Sequence, residues 1–248
     1  MCVVLWGRKK PWLFFGLIIM LTSFVQAQRI FDGLPEDIDL QGRYLFFLHG
    51  QIVEDGGRRP VSENYGVYEY DEILQALCGR GFIVISEARP KHADGMAYAH
   101  KTVKQIRALL AAGVSAKRIT VVGASKGGGI AVFVSVELQN REINYVLIAA
   151  CGKRGIEAMV RRGEFLSGNV LSIYDKEDDL GLLSCEVFFK ASRGSRLGKT
   201  LEVVVNLGRG HGFHYRPVAE WMEPAVGWAL SEGTAVELSK YRSLCKED

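Results

Sequence analysis

Proline is scarce in this chain, with 6 residues in 248, too few for a Pro-rich linker between modules. Charge bias is also missing. The formal net charge is +3, from 31 Lys and Arg against 28 Asp and Glu. Arg8, Lys9 and Lys10 are the only charged residues before Arg29, so residues 28–248 hold 28 basic side chains (31 minus 3) against 28 acidic ones. That balance gives no global attraction for nucleic acid or for an anionic membrane. The five cysteines include no CxxC pair and no zinc-site spacing. With 48% hydrophobic and 24% charged residues, intrinsic disorder and a coiled coil are excluded. No internal repeat or low-complexity stretch appears.

What is there begins with a targeting pattern. Arg8-Lys9-Lys10 forms a basic head, Trp12 to Leu21 an apolar stretch, and Val25-Gln26-Ala27 a small-residue triplet before Gln28. Residues 1–27 therefore read as a cleaved signal peptide, and the rest as an exported chain, periplasmic or secreted. The alternative is an uncleaved anchor, since Pro11 to Gln28 is 18 residues without charge. Residues 28–248 are expected to form a single domain with no stable membrane insertion after cleavage. Cys78, Cys151, Cys185 and Cys245 remain in it, and no pairing follows from sequence. Cys78 and Cys151 sit in apolar segments and read as small apolar fillers.

Six short runs of apolar, often β-branched residues follow: Tyr44 to Leu48, Phe82 to Ile85, Ile119 to Val122, Tyr145 to Ala149, Val170 to Tyr174 and Leu201 to Val205. Runs that are apolar on both faces belong to a sheet covered on both sides. Helical stripes lie between them. Tyr70, Ile73, Leu74 and Leu77 share one face, Val103, Ile106, Leu109 and Leu110 another, and Val218, Trp221, Met222, Ala225 and Trp228 a third. Pro224 is expected to divide the last stripe in two. This alternation predicts an α/β fold, a three-layer, doubly wound and mostly parallel sheet of about six strands. The longest interruption, Cys151 to Gly168, has room for one short helix. Active sites of such sheets lie beyond the carboxyl ends of the strands.

The chemistry-bearing residues fall in those loops. Gly123-Ala124-Ser125-Lys126-Gly127 follows the third run and opens a helix, which is a GxSxG pattern between strand and helix. Such a turn lifts the serine hydroxyl clear of the sheet and needs small residues on either side. A serine needs a base oriented by an acid. Gly210-His211-Gly212-Phe213 follows the last run, where the base should stand. Asp175, Glu177, Asp178 and Asp179 follow the fifth, where the acid should stand. His214 is the rival to His211, and the two have no third partner spaced for a metal.

With His49-Gly50-Gln51, the serine turn, the Tyr174 to Asp179 loop and the His211 loop together, the sequence resembles the α/β-hydrolase superfamily over about residues 43–231. The resemblance implies Ser125 as nucleophile and His211 as general base. Aligned on Tyr174, the acid of the family falls on Asp178, with Asp179 as the next candidate. It also implies an oxyanion hole built from the backbone N–H groups of Gln51 and Lys126, with His49 structural. The departures are the missing pair of N-terminal antiparallel strands, the absence of a cap domain, and Lys126 in the serine turn. The Lys126 side chain is expected to point to solvent, the alternative being a preference for a substrate with a negative group.

The expected activity is a serine hydrolase acting on a small-molecule ester, or an amide, without a cofactor. Alternatives are a peptidase-like hydrolase of short peptides and a non-catalytic binding protein. Glu87, Arg89 and Lys91 could line the rim of the site or be ordinary loop charges, and His92 and His100 are expected at or near the surface. Lys190, Arg193, Arg196 and Lys199 read as a solvated basic face at the end opposite the site.

Overall fold

A computed structural model of the chain describes residues 29–231. The expected signal peptide, its cleavage point and Cys245 lie outside the described residues. The central sheet has seven strands: β1 (Ile30–Phe31), β2 (Tyr44–Leu48), β3 (Ile83–Ile85), β4 (Ile119–Ala124), β5 (Asn144–Ile148), β6 (Gly168–Asp175) and β7 (Leu197–Val205). Their order across the sheet is β1-β3-β2-β4-β5-β6-β7, and every neighbouring pair is parallel. The expected count of about six is corrected by β1. Two residues are too few to show a period, and this strand exists by pairing Ile30 and Phe31 with Val84 and Ile85.

Among the described residues, seven α-helices lie between or after the strands: α1 (Gln51–Gly56), α2 (Tyr70–Gly79), α3 (Gly95–Ala112), α4 (Lys126–Leu138), α5 (Lys153–Arg161), α6 (Glu186–Ala191) and α7 (Ala219–Leu230). Side chains alternate across the sheet, as strand geometry requires. Along β2, Tyr44, Phe46 and Leu48 join the core under α3 to α6, while Leu45 and Phe47 join the core under α2 and α7. All five are buried, which is why β2 reads as an unbroken apolar run. Asp94 caps α3 by accepting from the N–H groups of Met96 at 2.8 Å and Ala97 at 3.4 Å. Gly113 ends it at φ 102°.

Pro224 does not divide the last helix; α7 runs through it. The missing N–H would have served the carbonyl of Glu220, an exposed residue of the first turn. Trp221, Met222 and Ala225 are buried beside it, and their packing holds the helix together. The interval after Cys151 does hold one short helix, α5. Two small antiparallel ribbons complete the fold. One pairs Val61–Ser62 with Gly66–Val67, and the other pairs Cys151–Gly152 with Leu182–Leu183.

The second ribbon carries a disulfide between Cys151 and Cys185, with a Cα–Cα distance of 5.2 Å. The reading of Cys151 as an apolar filler is thereby corrected. An apolar flank hides a bridge, because cystine is itself buried among apolar side chains. Cys78 is free and half-buried.

The chain leaves β2 toward β3 on one side, then returns to lay β4 on the other. That reversal opens a crevice between the carboxyl ends of β2 and β4. The loops on its two sides carry Gly50-Gln51 and Ser125.

Candidate active site

Ser125 stands between β4 and α4 with φ 54° and ψ −119°, a conformation that L-residues rarely adopt. The glycines around it are a steric necessity. A Cβ on Gly123 would lie 2.3 Å from the carbonyl oxygen of Gly127, and one on Gly127 would lie 1.9 Å from that of Leu48. The serine is held by backbone bonds on both sides. Its N–H donates to Ile148 O at 2.9 Å, and its carbonyl accepts from Gly129 N at 3.1 Å.

The structure brings Ser125, His211 and Asp178 into one hydrogen-bonded chain. Ser125 Oγ is 2.8 Å from His211 Nε2, and His211 Nδ1 is 2.8 Å from Asp178 Oδ2. A carboxylate can only accept, so Nδ1 carries the hydrogen and Nε2 is free to accept from the serine hydroxyl. Asp178 is itself oriented, because its Oδ1 accepts from the N–H groups of Leu180 at 3.0 Å and Leu182 at 3.3 Å. His211 and Asp178 are both buried. Asp179 lies beside this chain and meets the histidine differently. Its Oδ1 accepts the backbone N–H of His211 at 3.0 Å, and its Oδ2 accepts from the Tyr65 hydroxyl at 2.5 Å. Those two donors, the tyrosine foremost, hold the Asp179 carboxyl below the usual range.

His214 lies behind His211, with ring centroids 5.3 Å apart and planes at 89°. Neither of its ring nitrogens has a hydrogen-bond partner. Burial, then the neighbouring His211, lowers its pKa to about 3, so the ring is neutral.

Gln51 and Lys126 are the first residues of α1 and α4. N–H groups at that position have no acceptor within their helix and face outward from the positive end of the helix dipole. The two helices start on opposite sides of the crevice, and a Cβ on Gly50 would lie 3.6 Å from Ser125 Cβ. A cavity of about 210 Å³ opens here, lined by Gly50, Gln51, Ile52, Tyr65, Ser125, Leu180, His211, His214 and Tyr215.

The Lys126 side chain does not point to solvent, and that expectation is corrected. Its Nζ donates to Glu54 Oε2 at 2.5 Å and to Ala93 O at 2.9 Å. Glu54 also accepts from Arg89 Nε, through Oε1 at 2.8 Å, and the Glu54 and Arg89 side chains are each 1% exposed. Arg89 is thus a buried partner, not a rim or loop charge. It further donates to the carbonyl of His49. His49 Nε2 accepts the backbone N–H of Arg89 at 2.9 Å, which leaves the hydrogen on Nδ1 to donate to Gly50 O at 2.8 Å. Burial, then Arg89, lowers His49 to about 4. His49 therefore fastens the loop that carries Gly50 and Gln51.

Sequence reasoning missed Glu54 and Tyr65. Glu54 sits in a six-residue helix too short for a period, and Tyr65 in a hairpin with no motif. Glu87 pairs with Lys101 and does not line the cavity at Ser125, while Lys91, His92 and His100 are exposed. Lys190, Arg193, Arg196 and Lys199 are all exposed, on α6, in the turn after it and at the entry to β7. Among the described residues, no group of three or more His, Cys, Asp or Glu could hold a metal, and no helix is long and apolar enough to cross a membrane.

No family model matches the chain, and no curated protein matches it in sequence. Solved structures do match it. A puromycin hydrolase superposes with a TM-score of 0.50 at 16% identity, over 80% of this chain and 35% of that one. Esterase PE8 gives 0.46 at 15%, over 75% of this chain and 91% of that one. SOBER1 of Arabidopsis thaliana gives 0.46 at 10%, over 77% of this chain and 99% of that one. At these identities the likeness is one of fold.

Proposed function

Given the α/β-hydrolase fold of this chain, we propose that it is an exported serine hydrolase that cleaves an ester, or an amide, through an acyl-enzyme. The observation that carries the reading is the chain of 2.8 Å contacts from Ser125 Oγ through His211 to Asp178. His211 Nε2 takes the hydroxyl proton as Oγ attacks the substrate carbonyl carbon. The carbonyl π electrons move onto its oxygen, which accepts from the N–H groups of Gln51 and Lys126. Donors fixed where that charge develops each contribute about 3 kcal/mol to the barrier reduction. Asp178 keeps the imidazole in the Nδ1–H form and stabilises the imidazolium.

Collapse of the tetrahedral adduct breaks the bond to the leaving alcohol or amine, which takes the proton from His211 Nε2. Water then repeats the sequence on the acyl-serine and releases the acid. These steps call on no cofactor. Export rests on the pattern of residues 1–27, and the Cys151–Cys185 bridge agrees with an oxidising compartment. We take residues 28–248 as the single mature domain.

The test is a fluorophosphonate probe on the folded protein. Wild type is expected to be labelled and Ser125→Ala not. Folded wild type that takes up no label would instead mark a binding protein on a hydrolase scaffold.

A further inference from the structure

A second cavity, of about 400 Å³, lies between α4, α5 and α6. Its walls include Val132, Phe133, Ile156, Met159, Leu182 and Phe188. The one charged side chain on it is Arg162, whose guanidinium is held by Glu164 through two bonds of 2.7 and 2.8 Å, leaving its stem to the cavity. Its size falls within the range of small-molecule pockets, about 300–1,000 Å³.

Two features tie this cavity to the serine. Gly129 lines it, and the Gly129 N–H is bonded to the Ser125 carbonyl. Leu182 also lines it, while Leu180, two residues earlier, lines the cavity at Ser125. Residues 180–182 thus reach from one cavity to the other. Along α4 the cavity begins one turn from Ser125 and extends to Phe133, about 12 Å from the serine at 1.5 Å per residue. Leu180 and Val187, 59% and 61% exposed, make the adjoining surface apolar as well.

Glycine borders the cavity at two helical positions. A Cβ on Gly129 in α4, or on Gly155 in α5, would meet no atom within 4 Å. Glycine inside a helix is about 1 kcal/mol worse than alanine. Gly129 is half-buried and Gly155 exposed at the cavity's edge, and neither narrows it with a side chain.

We propose that this cavity receives the acyl chain of the substrate, and that the enzyme prefers esters of medium-chain carboxylic acids. The proposal rests on Ser125 being the nucleophile. A cavity of about 150 Å³ lined by apolar side chains accepts one benzene ring, so this one accepts a chain on the order of eight carbons.

The experiment measures kcat/KM for p-nitrophenyl esters from acetyl to dodecanoyl, on wild type, Gly155→Phe and Ala158→Leu. Both replacements enter the cavity from α5 and touch none of Ser125, His211 or Asp178. Wild type is expected to gain at least twofold per added methylene up to about eight carbons, since each buried methylene contributes on the order of 0.8 kcal/mol. Each variant is expected to lose that gain, tenfold or more on octanoyl ester, with acetyl ester turnover unchanged. A flat chain-length profile in wild type overturns the proposal, as does equal loss on all esters in both folded variants. In either case fluorophosphonate labelling at Ser125 leaves the hydrolase reading standing. No labelling and no turnover would remove both.

Discussion

The hydroxyl of Tyr65 donates to Asp179 Oδ2 at 2.5 Å across 114 residues of sequence, while the other oxygen of Asp179 holds the backbone N–H of His211. The Tyr65 ring also lies edge-on to His211, 6.1 Å between centroids. A Cβ on Gly212 would meet Tyr65 Cβ at 2.3 Å, so the histidine loop is pressed against this tyrosine. The adjacent carboxylates thus divide the work. Asp178 orients the imidazole, and Asp179 positions the backbone that carries it.

Replacement of each carboxylate should separate the two roles. Asp178→Asn is expected to lower kcat by about 10⁴, because the amide favours the wrong tautomer. Asp179→Asn and Tyr65→Phe are each expected to lower it by less than about tenfold, the scale of one hydrogen bond. Steady-state turnover of p-nitrophenyl acetate reads both. A larger loss at Asp179 would reverse the assignment.

Glu54 bridges Lys126 at the start of α4 to Arg89, and it sits on α1, whose first residue is Gln51. The two helices proposed to supply the N–H pair are therefore joined by a buried carboxylate. Glu54→Gln leaves the Arg89 charge buried without its counter-ion and is expected to cost about 3–5 kcal/mol in urea denaturation. Lys126→Met keeps the backbone N–H but cuts the tie between helices. Its kcat should fall by about tenfold with KM little changed, since small displacements of catalytic groups cost this much or more. A change in KM alone would dissociate the clamp from the oxyanion site.

His214 and His49 give the fold an acid limit. Their folded pKa values, about 3 and about 4, lie below the ordinary 6.5. In such a case the unfolded chain binds more protons as pH falls. The stabilisation is complete above about pH 6.5 and is lost as pH drops toward the folded values. Between pH 7 and pH 5 each histidine is expected to remove about 2 kcal/mol of stability. Urea midpoints for wild type and His214→Phe should diverge over this window, with the variant less sensitive to acid. Parallel pH profiles would show that His214 is not buried neutral.

The disulfide closes a loop of 34 residues, which corresponds to about 3–4 kcal/mol of chain entropy removed from the unfolded state. It also staples the ribbon whose Leu182 N–H bonds to Asp178. Paired Cys151→Ser and Cys185→Ser replacement should lower the thermal midpoint and reduce kcat. Treatment of wild type with a thiol reductant should reproduce both effects. Full activity after verified reduction would uncouple the bridge from the acid.

The sheet was legible because five of its strands are buried almost throughout and so appear as apolar runs, while β7 is buried only toward its carboxyl end. Ile30–Phe31 was not, since it is defined by its partner and not by its own pattern. Ser125 was legible because the glycines that its turn demands are local in sequence. Lys126 was misread for the opposite reason. Nothing near it in sequence indicates Glu54, 72 residues earlier, or Ala93. Cys151 likewise shows its apolar neighbours and not its partner. Local sterics and periodicity are written in short windows; ion pairs, bridges and the Tyr65 strut form only when distant segments meet.

The backbone of Ser125, at φ 54°, carries a further consequence. A side chain in this region costs on the order of 1–3 kcal/mol that glycine would not incur. The surrounding bonds to Ile148 and Gly129 hold it there against that preference. Ser125→Gly is therefore expected to relieve that strain while removing the hydroxyl that faces His211. If Ser125 is the nucleophile we propose, its reactivity is held at a standing cost to the stability of the fold.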